Sequence, residues 1–156
     1  MKDPYAHLNI RSFTFWDLYL HEQQYPYVGR SYAWAKRDAN TVLEITAQER
    51  EELYTLIIPA WWKVLKQLFN PDRPNIACFG NEAPHLHYHL IPRYRHNVFV
   101  QGIPFTDPKP DKNYAPYEKR VLPVEVLCHI KEEMQSTIEK IVEELVSSQG
   151  DKTSFK

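Results

Sequence analysis

Three histidines stand at every second position in PHLHYHLIPRY, the stretch at residues 84–94. They are His85, His87 and His89, out of 7 histidines in a chain of 156 residues. Alternate side chains of a β-strand point to the same face, so the spacing predicts one face lined by imidazoles. Leu86, Tyr88 and Leu90 then point to the opposite face, into the core. A row of imidazoles repels itself when charged, so packing alone explains the pattern poorly.

Metal binding is one chemistry that such a row could perform, because histidine is a common zinc ligand. A His-x-His pair on a strand can place two imidazoles on one ion, and catalytic zinc takes three protein ligands. At a rise of about 3.3 Å per residue, the outer two histidines lie about 13 Å apart along the strand. All three reach one ion only if the strand bends. The other candidates, His7, His21 and His96, have no spacing that marks them as a further ligand.

Nucleophilic attack on phosphorus is the second chemistry. A neutral imidazole is a good nucleophile near neutral pH and can form a phosphohistidine intermediate. Neighbouring imidazoles can donate hydrogen bonds to the phosphate oxygens and a proton to the leaving group. The residue types alone leave both chemistries open.

The elements around the row are predicted to form an antiparallel sheet. Strand-like composition marks residues 11–22, 29–37, 75–80 and 85–94. An irregular connection joins the first two stretches and a tight turn joins the last two, so each pair predicts a hairpin. Pro92 is expected to end the regular hydrogen bonding of the last strand.

A first helix is predicted to start at Thr46, with Glu49 completing a capping box. Pro59 lacks an N–H and crowds the carbonyl of Thr55, so a kink or break is expected there. Residues 70–72, Asn-Pro-Asp, are expected to close the helix. Its apolar face consists of Leu53, Leu56, Ile57, Ala60, Val64 and Leu68.

A second helix is predicted at about residues 123–148, with Pro123 in its first turn and Gly150 after its end. Its apolar stripe consists of Leu127, Ile130, Met134, Ile138, Ile141 and Leu145. The Pro-rich segment at residues 96–122 is expected to be an irregular loop, either functional or pinned over the surface. The tail at residues 151–156 is expected to fray.

Composition indicates an ordinary globular chain, expected to form one domain over residues 1–156. A net charge of -1 argues against capture of nucleic acid or an anionic membrane by bulk electrostatics. No apolar run reaches the ~20 residues that span a bilayer, and the first residues do not have a secretory pattern. Cys78 and Cys128 form no CxxC motif. We therefore expect a cytoplasmic protein with neither a nucleic-acid nor a membrane partner.

The run HLHYHLI resembles the signature of the histidine triad (HIT) family, His-φ-His-φ-His-φ-φ with φ apolar, and the following Pro-Arg is common in that family. The likeness covers about residues 13–94 and is similar to the bacterial branch described as diadenosine-tetraphosphate-hydrolase-like. It also extends to DPKPDKNYAPYEKR. The resemblance implies an α+β, HIT-like fold, an antiparallel sheet of about five strands with two main helices, with its core at about residues 11–95. It further implies a homodimer.

The resemblance also implies an enzyme that hydrolyses or transfers at the α-phosphate of a nucleotide conjugate, such as a dinucleoside polyphosphate or a nucleoside phosphoramidate. His87 would take the nucleotidyl group, His89 would contact the phosphate and assist the leaving group, and His85 would orient His87. No tightly bound metal is implied, although a divalent ion could accompany the substrate. The alternatives are a zinc-dependent hydrolase and a catalytically silent nucleotide-binding protein.

The same resemblance assigns the nucleoside end of the site. Glu22, at the end of a sheet strand, would hold the ribose hydroxyls, since a carboxylate can accept from both. Leu20 and His21 would border the base. Glu22 is equally compatible with a solvated hairpin position.

Some positions depart from the family pattern. Asn81 would replace a phosphate-side donor, with Gly80 allowing close approach, although Asn is also a common turn residue. Glu82 would repel phosphate and is expected to point away. Arg30 stands where several members have a fourth histidine, and both Arg30 and Arg93 could bind a polyphosphate or lie at the surface.

Overall fold

The computed structural model describes residues 3–152 of the chain. An antiparallel sheet in the order β1-β2-β3-β5-β4 forms its centre, with a separate hairpin, β6-β7. The strands are β1 (Asn9–Ser12), β2 (Trp16–Leu20), β3 (Ser31–Ala35), β4 (Arg73–Ala77), β5 (His87–Arg93), β6 (Val98–Val100) and β7 (Ile103–Phe105). The helices are α1 (Ala47–Glu52), α2 (Ile58–Leu68) and α3 (Val124–Lys152). The predicted α+β fold with a five-stranded antiparallel sheet is therefore confirmed.

The stretch at residues 11–22 is two strands, whereas a single strand was expected. The chain reverses between β1 and β2, and the Phe13 N–H donates to the Trp16 carbonyl at 2.8 Å. The Glu52 carboxylate accepts from the Thr14 and Phe15 amides at 2.9 and 2.7 Å. A side chain from α1 thus satisfies this turn, so the turn needs no glycine or proline of its own.

Pro92 does not end β5, contrary to the expectation. The strand continues to Arg93, and Pro92 lies opposite Pro74 in the register with β4. Proline has no N–H to donate. In an antiparallel ladder every second pair exchanges no hydrogen bonds, so two prolines opposite each other at such a pair remove no bond. β4 is an edge strand, where proline is tolerated.

The capping box of the first helix is confirmed. The Glu49 amide donates to Thr46 Oγ1 at 3.1 Å, and the Thr46 amide donates to the Glu49 carboxylate at 2.8 Å. Pro59 does not break the helix, because a π-helical turn at Leu53–Ile57 directly precedes α2 and α1 runs into it. This turn accommodates the proline, as π-bulges inside helices do.

The core joins one sheet face to the apolar sides of the helices. On the sheet, the predicted inward residues Leu86, Tyr88 and Leu90 are buried. Trp61 and Leu65 of α2 are also buried but were missed, while Leu56 and Leu68 are only half-buried.

Helix α3 packs against α2 and β1. It continues through Gly150, which was expected to follow the helix end. Of its predicted stripe, Leu127 and Leu145 are only half-buried. The fully buried residues of this helix are Val126, Ile130, Met134, Ile138, Ile141 and Val142. The predicted frayed tail lies, from residue 153 onward, outside the described residues.

The Pro-rich segment is more ordered than expected, because β6 and β7 form a hairpin within it. Beyond the hairpin, the Tyr27 hydroxyl donates to the Tyr114 carbonyl at 2.7 Å, which fixes the loop against the connection between β2 and β3. Cys78 and Cys128 are free thiols. Within residues 3–152, no helix is both long and apolar enough to cross a membrane.

Candidate active site

A cavity of about 720 Å³ lies over the sheet face that carries the imidazoles. Seven of the predicted site residues line it, namely His87, His89, Leu20, His21, Glu22, Arg30 and Asn81. They come from β5, from the end of β2 and the chain after it, and from the turns before β3 and β5. His85 and Arg93 are absent from its lining.

His85 lies before β5 rather than on it, so the expectation that the strand includes all three histidines is wrong, although the His85 and His87 rings both stack on Trp34. The Leu86 carbonyl still accepts from the Ala35 amide at 3.0 Å, but the Leu86 amide donates to the Ala39 carbonyl at 2.7 Å, so the ladder with β3 ends here. The His85 imidazole has its own contacts. Its Nε2 lies 2.7 Å from the Ala35 carbonyl, and its ring stacks on Trp34 at 4.6 Å between centroids.

The His87 ring is held in one orientation. Its Nδ1 lies 2.7 Å from the backbone carbonyl oxygen of His85. A carbonyl can only accept, so Nδ1 carries the hydrogen, and in the neutral ring the lone pair is on Nε2. The indole of Trp34 stacks on the His87 ring, with 4.7 Å between the ring centroids. His85 therefore contacts the His87 ring through its main-chain carbonyl.

Burial keeps the two cavity histidines neutral. It lowers the pKa of His87 below the ordinary value, although the hydrogen bond to the His85 carbonyl opposes this. Burial, then repulsion from His87 when that ring is protonated, and then the Arg30 charge lower the pKa of His89 to about 4. The two rings lie 5.0 Å apart, so this neutrality removes the repulsion that a charged row would suffer.

Tyr32 and Trp34 form the floor of the site but were not identified from the sequence. On β3 they lie opposite His89 and His87 respectively. Tyr32 and Trp34 are two residues apart, so on a strand they share one face. Once β3 is known to pair with β5, this spacing identifies them as neighbours of His89 and His87. Burial raises the pKa of Tyr32 to about 12, so its hydroxyl stays a neutral donor.

The nucleoside end assigned from the resemblance lies where β2 ends. Glu22 is exposed at the cavity wall, while Leu20 is buried beneath it. Burial and the nearby Arg30 charge lower the pKa of His21 to about 2. The Gln23 amide donates to His21 Nδ1 at 2.9 Å, which fits a neutral ring that accepts through this nitrogen. Tyr5, Leu8 and Tyr19 also line this cavity and were missed.

The short GNEAP segment forms the rim next to His89. Gly80 has a φ of +80°, a conformation that glycine adopts without strain. Asn81 and Glu82 are both exposed and both line the cavity, so the expectation that Glu82 points away is wrong. The neighbouring Phe79 is 58% exposed, and its ring lies 5.5 Å from the His89 ring.

Arg93 is not a ligand-binding residue in this structure. It is 2% exposed, and its Nε donates to Asp107 at 2.7 Å. Its remaining donors bond Asn75, Asp107 and the carbonyls of Lys109 and Lys112. This guanidinium anchors the Pro-rich loop and has no donor left for a phosphate.

The Pro-rich loop contributes three residues to the cavity wall, Tyr114, Tyr117 and Lys119. They were not identified as site residues from the sequence, because their position depends on the anchors at Arg93 and Tyr27. Among the described residues, no group of three histidine, cysteine, aspartate or glutamate side chains is arranged to hold a metal ion.

Comparison with known proteins shows similarity in structure. No family model and no curated protein sequence matches the chain. A histidine triad protein from Bradyrhizobium japonicum superimposes with a TM-score of 0.65 at 19% identity, covering 83% of this chain and 89% of that one. A hypothetical histidine triad nucleotide-binding protein from Sulfolobus tokodaii gives 0.63 at 16% identity, covering 86% and 85%. Diadenosine triphosphate hydrolase from Plasmodium falciparum gives 0.59 at 13% identity, covering 86% and 78%. The chain therefore has the fold of histidine triad proteins.

Proposed function

We propose that this chain is a histidine triad enzyme that hydrolyses or transfers at the α-phosphate of a nucleotide conjugate, through a nucleotidyl-His87 intermediate. The hydrogen bond from His87 Nδ1 to the His85 carbonyl carries the proposal, because it leaves the Nε2 lone pair as the nucleophile. The fold shared with a diadenosine triphosphate hydrolase and with a protein described as nucleotide-binding supports a nucleotide as the substrate.

The first step joins His87 Nε2 to the α-phosphorus. The bond from phosphorus to the leaving group breaks, and the leaving atom keeps the electron pair and takes up a proton from solvent. In the second step water attacks the same phosphorus and loses its proton to solvent, His87 departs with its electron pair, and a nucleoside monophosphate is released. Each displacement is in line, so a fixed imidazole orientation lowers the barrier to both.

The cavity has the size and lining that this substrate needs. Its volume of about 720 Å³ is within the range of small-molecule sites. The Tyr32 hydroxyl and the Asn81 amide are donors at the wall, and the carboxylate of Glu22 can accept from ribose hydroxyls. Burial lowers the pKa of both histidines, which favours the neutral form that a nucleophile needs.

Rapid quench with a labelled nucleotide substrate tests the proposal. The panel contains diadenosine tetraphosphate and adenosine 5′-phosphoramidate, and the variants are His87→Ala and the control His129→Gln, which alters a residue of α3 outside the cavity. We expect an acid-labile, base-stable adduct in wild type and a loss of at least about 10³-fold in His87→Ala. Full turnover in His87→Ala without a trapped adduct in wild type would contradict the mechanism.

Two further expectations accompany the proposal. We expect turnover to survive treatment with a chelator, and activity that disappears and returns only with zinc would assign the histidines to a metal instead. The homodimer, the cytoplasmic location and the likeness to the bacterial diadenosine-tetraphosphate-hydrolase-like branch stay predictions.

A further inference from the structure

Arg30 and Arg93 are both buried, but only Arg93 forms a salt bridge within residues 3–152. Arg93, 2% exposed, has the Asp107 carboxylate at 2.7 Å. Arg30, 3% exposed, forms no salt bridge with any carboxylate of residues 3–152. Its Nε is also buried without a hydrogen-bond acceptor in that part of the chain. The cavity is therefore lined by a buried cation that has no described carboxylate within 4 Å.

Aromatic groups hold this cation in place without neutralising it. A terminal nitrogen of Arg30 donates to the Tyr117 hydroxyl at 2.6 Å. The guanidinium carbon lies 5.6 Å from the Tyr114 ring centre and 5.1 Å from that of Tyr117. The main chain is fixed as well, since the Arg30 carbonyl accepts from the His21 amide at 2.9 Å and from the Gln24 side chain at 2.8 Å.

A buried charge without a partner is strongly unfavourable, and removing a charge from water is compensated only by an opposite charge or several hydrogen bonds. At Arg93 the protein supplies that compensation itself, whereas at Arg30 the partner must come from the cavity. A guanidinium can bind two oxygens of a phosphate or carboxylate at once. The Nε of Arg30 is enclosed by protein, so an anion in the cavity meets the terminal nitrogens, one of which also donates to the Tyr117 hydroxyl.

The surroundings of Arg30 favour an anion in the part of the cavity next to His89 and His21. Arg30 lies close enough to lower the pKa of both His89 and His21 through its charge. Lys119, exposed on the same wall, is a second cation without a salt bridge inside the described range. Asp3, Glu22 and Glu82 also line the cavity, but none of their carboxylates lies within 4 Å of the guanidinium.

We propose that Arg30, Lys119 and the Tyr117 hydroxyl form an anion subsite that takes a phosphate group of the leaving part of the substrate. That the bound phosphate belongs to the leaving group rests on the proposed function, whereas anion binding at Arg30 does not. An anionic leaving group makes a phosphoric anhydride, such as a dinucleoside or nucleoside polyphosphate, the preferred substrate class. A phosphoramidate, which releases an amine, leaves this subsite empty.

Isothermal titration with inorganic pyrophosphate tests the subsite without any turnover. Wild type is compared with Arg30→Gln and with Arg50→Gln, a control that removes a positive charge from the exposed surface of α1. We expect Arg30→Gln to weaken pyrophosphate binding at least about tenfold and Arg50→Gln to leave it unchanged. Equal affinity in wild type and Arg30→Gln overturns the proposal, as does an equal loss in both variants.

Two milder variants keep the test decisive if Arg30→Gln does not fold. Lys119→Gln changes an exposed residue, and Tyr117→Phe keeps the ring while removing the hydroxyl. We expect each to weaken pyrophosphate binding several-fold at an unchanged melting temperature. Wild-type affinity in both of them overturns the subsite.

Kinetics then separates this inference from the proposed function. The ratio of kcat/KM for diadenosine tetraphosphate to that for adenosine 5′-phosphoramidate should fall about tenfold or more in Arg30→Gln. An unchanged ratio overturns the assignment of the subsite to the leaving group. If wild type turns over neither substrate but binds pyrophosphate through Arg30, the proposed function fails while the anion subsite stands.

Discussion

Arg93 and Asp107 form an ion pair that is almost completely removed from solvent. Arg93 Nε lies 2.7 Å from Asp107 Oδ2, and the two side chains are 3% and 0% exposed. Arg93 is the last residue of β5, the strand that carries both cavity histidines, and Asp107 starts the loop that brings Tyr114 and Tyr117 to the cavity. One ion pair therefore holds the two walls of the site together.

Asp107→Asn should destabilise the protein by about 3–5 kcal/mol, because it keeps the shape of the side chain but leaves Arg93 buried without a charge partner. Urea unfolding measures the loss. The matched control is Asp111→Asn, which breaks the pair between Arg95 and Asp111, whose side chains are 61% and 64% exposed. That change should cost less than about 1 kcal/mol. Equal losses for the two variants would show that burial of the Arg93 pair contributes nothing.

The pH dependence of kcat/KM should have an acid limb set by His87. Only the neutral imidazole attacks, so activity falls as pH drops through its pKa in the free enzyme. Burial lowers that pKa below the ordinary value of 6.5, so full activity should persist to a lower pH than an ordinary histidine allows. Steady-state kinetics between about pH 4 and 9 measures the limb. An acid limb centred above pH 6.5 would contradict the assigned nucleophile or its environment.

Trp34 should control the position of the nucleophile without touching phosphorus. Its indole stacks on the rings of His85 and His87 at interplanar angles of 8° and 24°. Trp34→Leu removes the flat surface, and a displaced nucleophile loses on the order of 10²-fold in kcat/KM. Trp34→Phe keeps an aromatic surface and should retain more activity than Trp34→Leu. In both variants the loss should be mostly in kcat rather than in KM. Wild-type kcat in Trp34→Leu would assign the stack to packing alone.

The histidine pattern was predictable because strand alternation is local. The apolar partners at Leu86, Tyr88 and Leu90 identified the strand and its buried face, and the Thr46 capping box fixed the start of the first helix. These signals depend on neighbours in the sequence. Of the four pairings that set the strand order, the hairpins β2–β3 and β4–β5 were predicted, whereas the pairings β1–β2 and β3–β5 were not.

The rest depended on partners that are distant in the sequence. The turn at Thr14 is satisfied by Glu52, 38 residues away, and Arg30 meets Tyr117 at a separation of 87. Arg30 and Arg93 were indistinguishable in the sequence, since each was an arginine near a strand end. Their roles separate only when Asp107 is seen to neutralise one of them and no described residue neutralises the other.

Glu22 should discriminate between substrates with and without ribose hydroxyls. Its exposed carboxylate lines the cavity at the end of β2, where it can accept from both hydroxyls. Glu22→Ala should raise KM for a ribonucleotide substrate about tenfold and leave KM for the 2′,3′-dideoxy analogue unchanged. Parallel kinetics on the two substrates measures the difference. An equal effect on both would place Glu22 outside the ribose contact.

Acid should begin to destabilise the fold through His21 at a higher pH than the one at which carboxylates start to take up protons. Its pKa is lowered from 6.5 to about 2, chiefly by burial, so the folded protein keeps the ring neutral while the unfolded chain binds a proton below pH 6.5. Stability is therefore fully present above pH 6.5 and is lost as pH falls toward 2, at up to about 1.4 kcal/mol per pH unit.

His89 also lowers the stability of the fold in acid, but over a narrower range, from pH 6.5 to about 4. Urea unfolding of wild type and His21→Asn at successive pH values separates the two contributions. Asn keeps an acceptor for the Gln23 amide but cannot be protonated, so its slope should be smaller by up to about 1.4 kcal/mol per pH unit. Parallel curves for wild type and His21→Asn over this range would show that His21 gains its proton in the folded state as easily as in the unfolded chain.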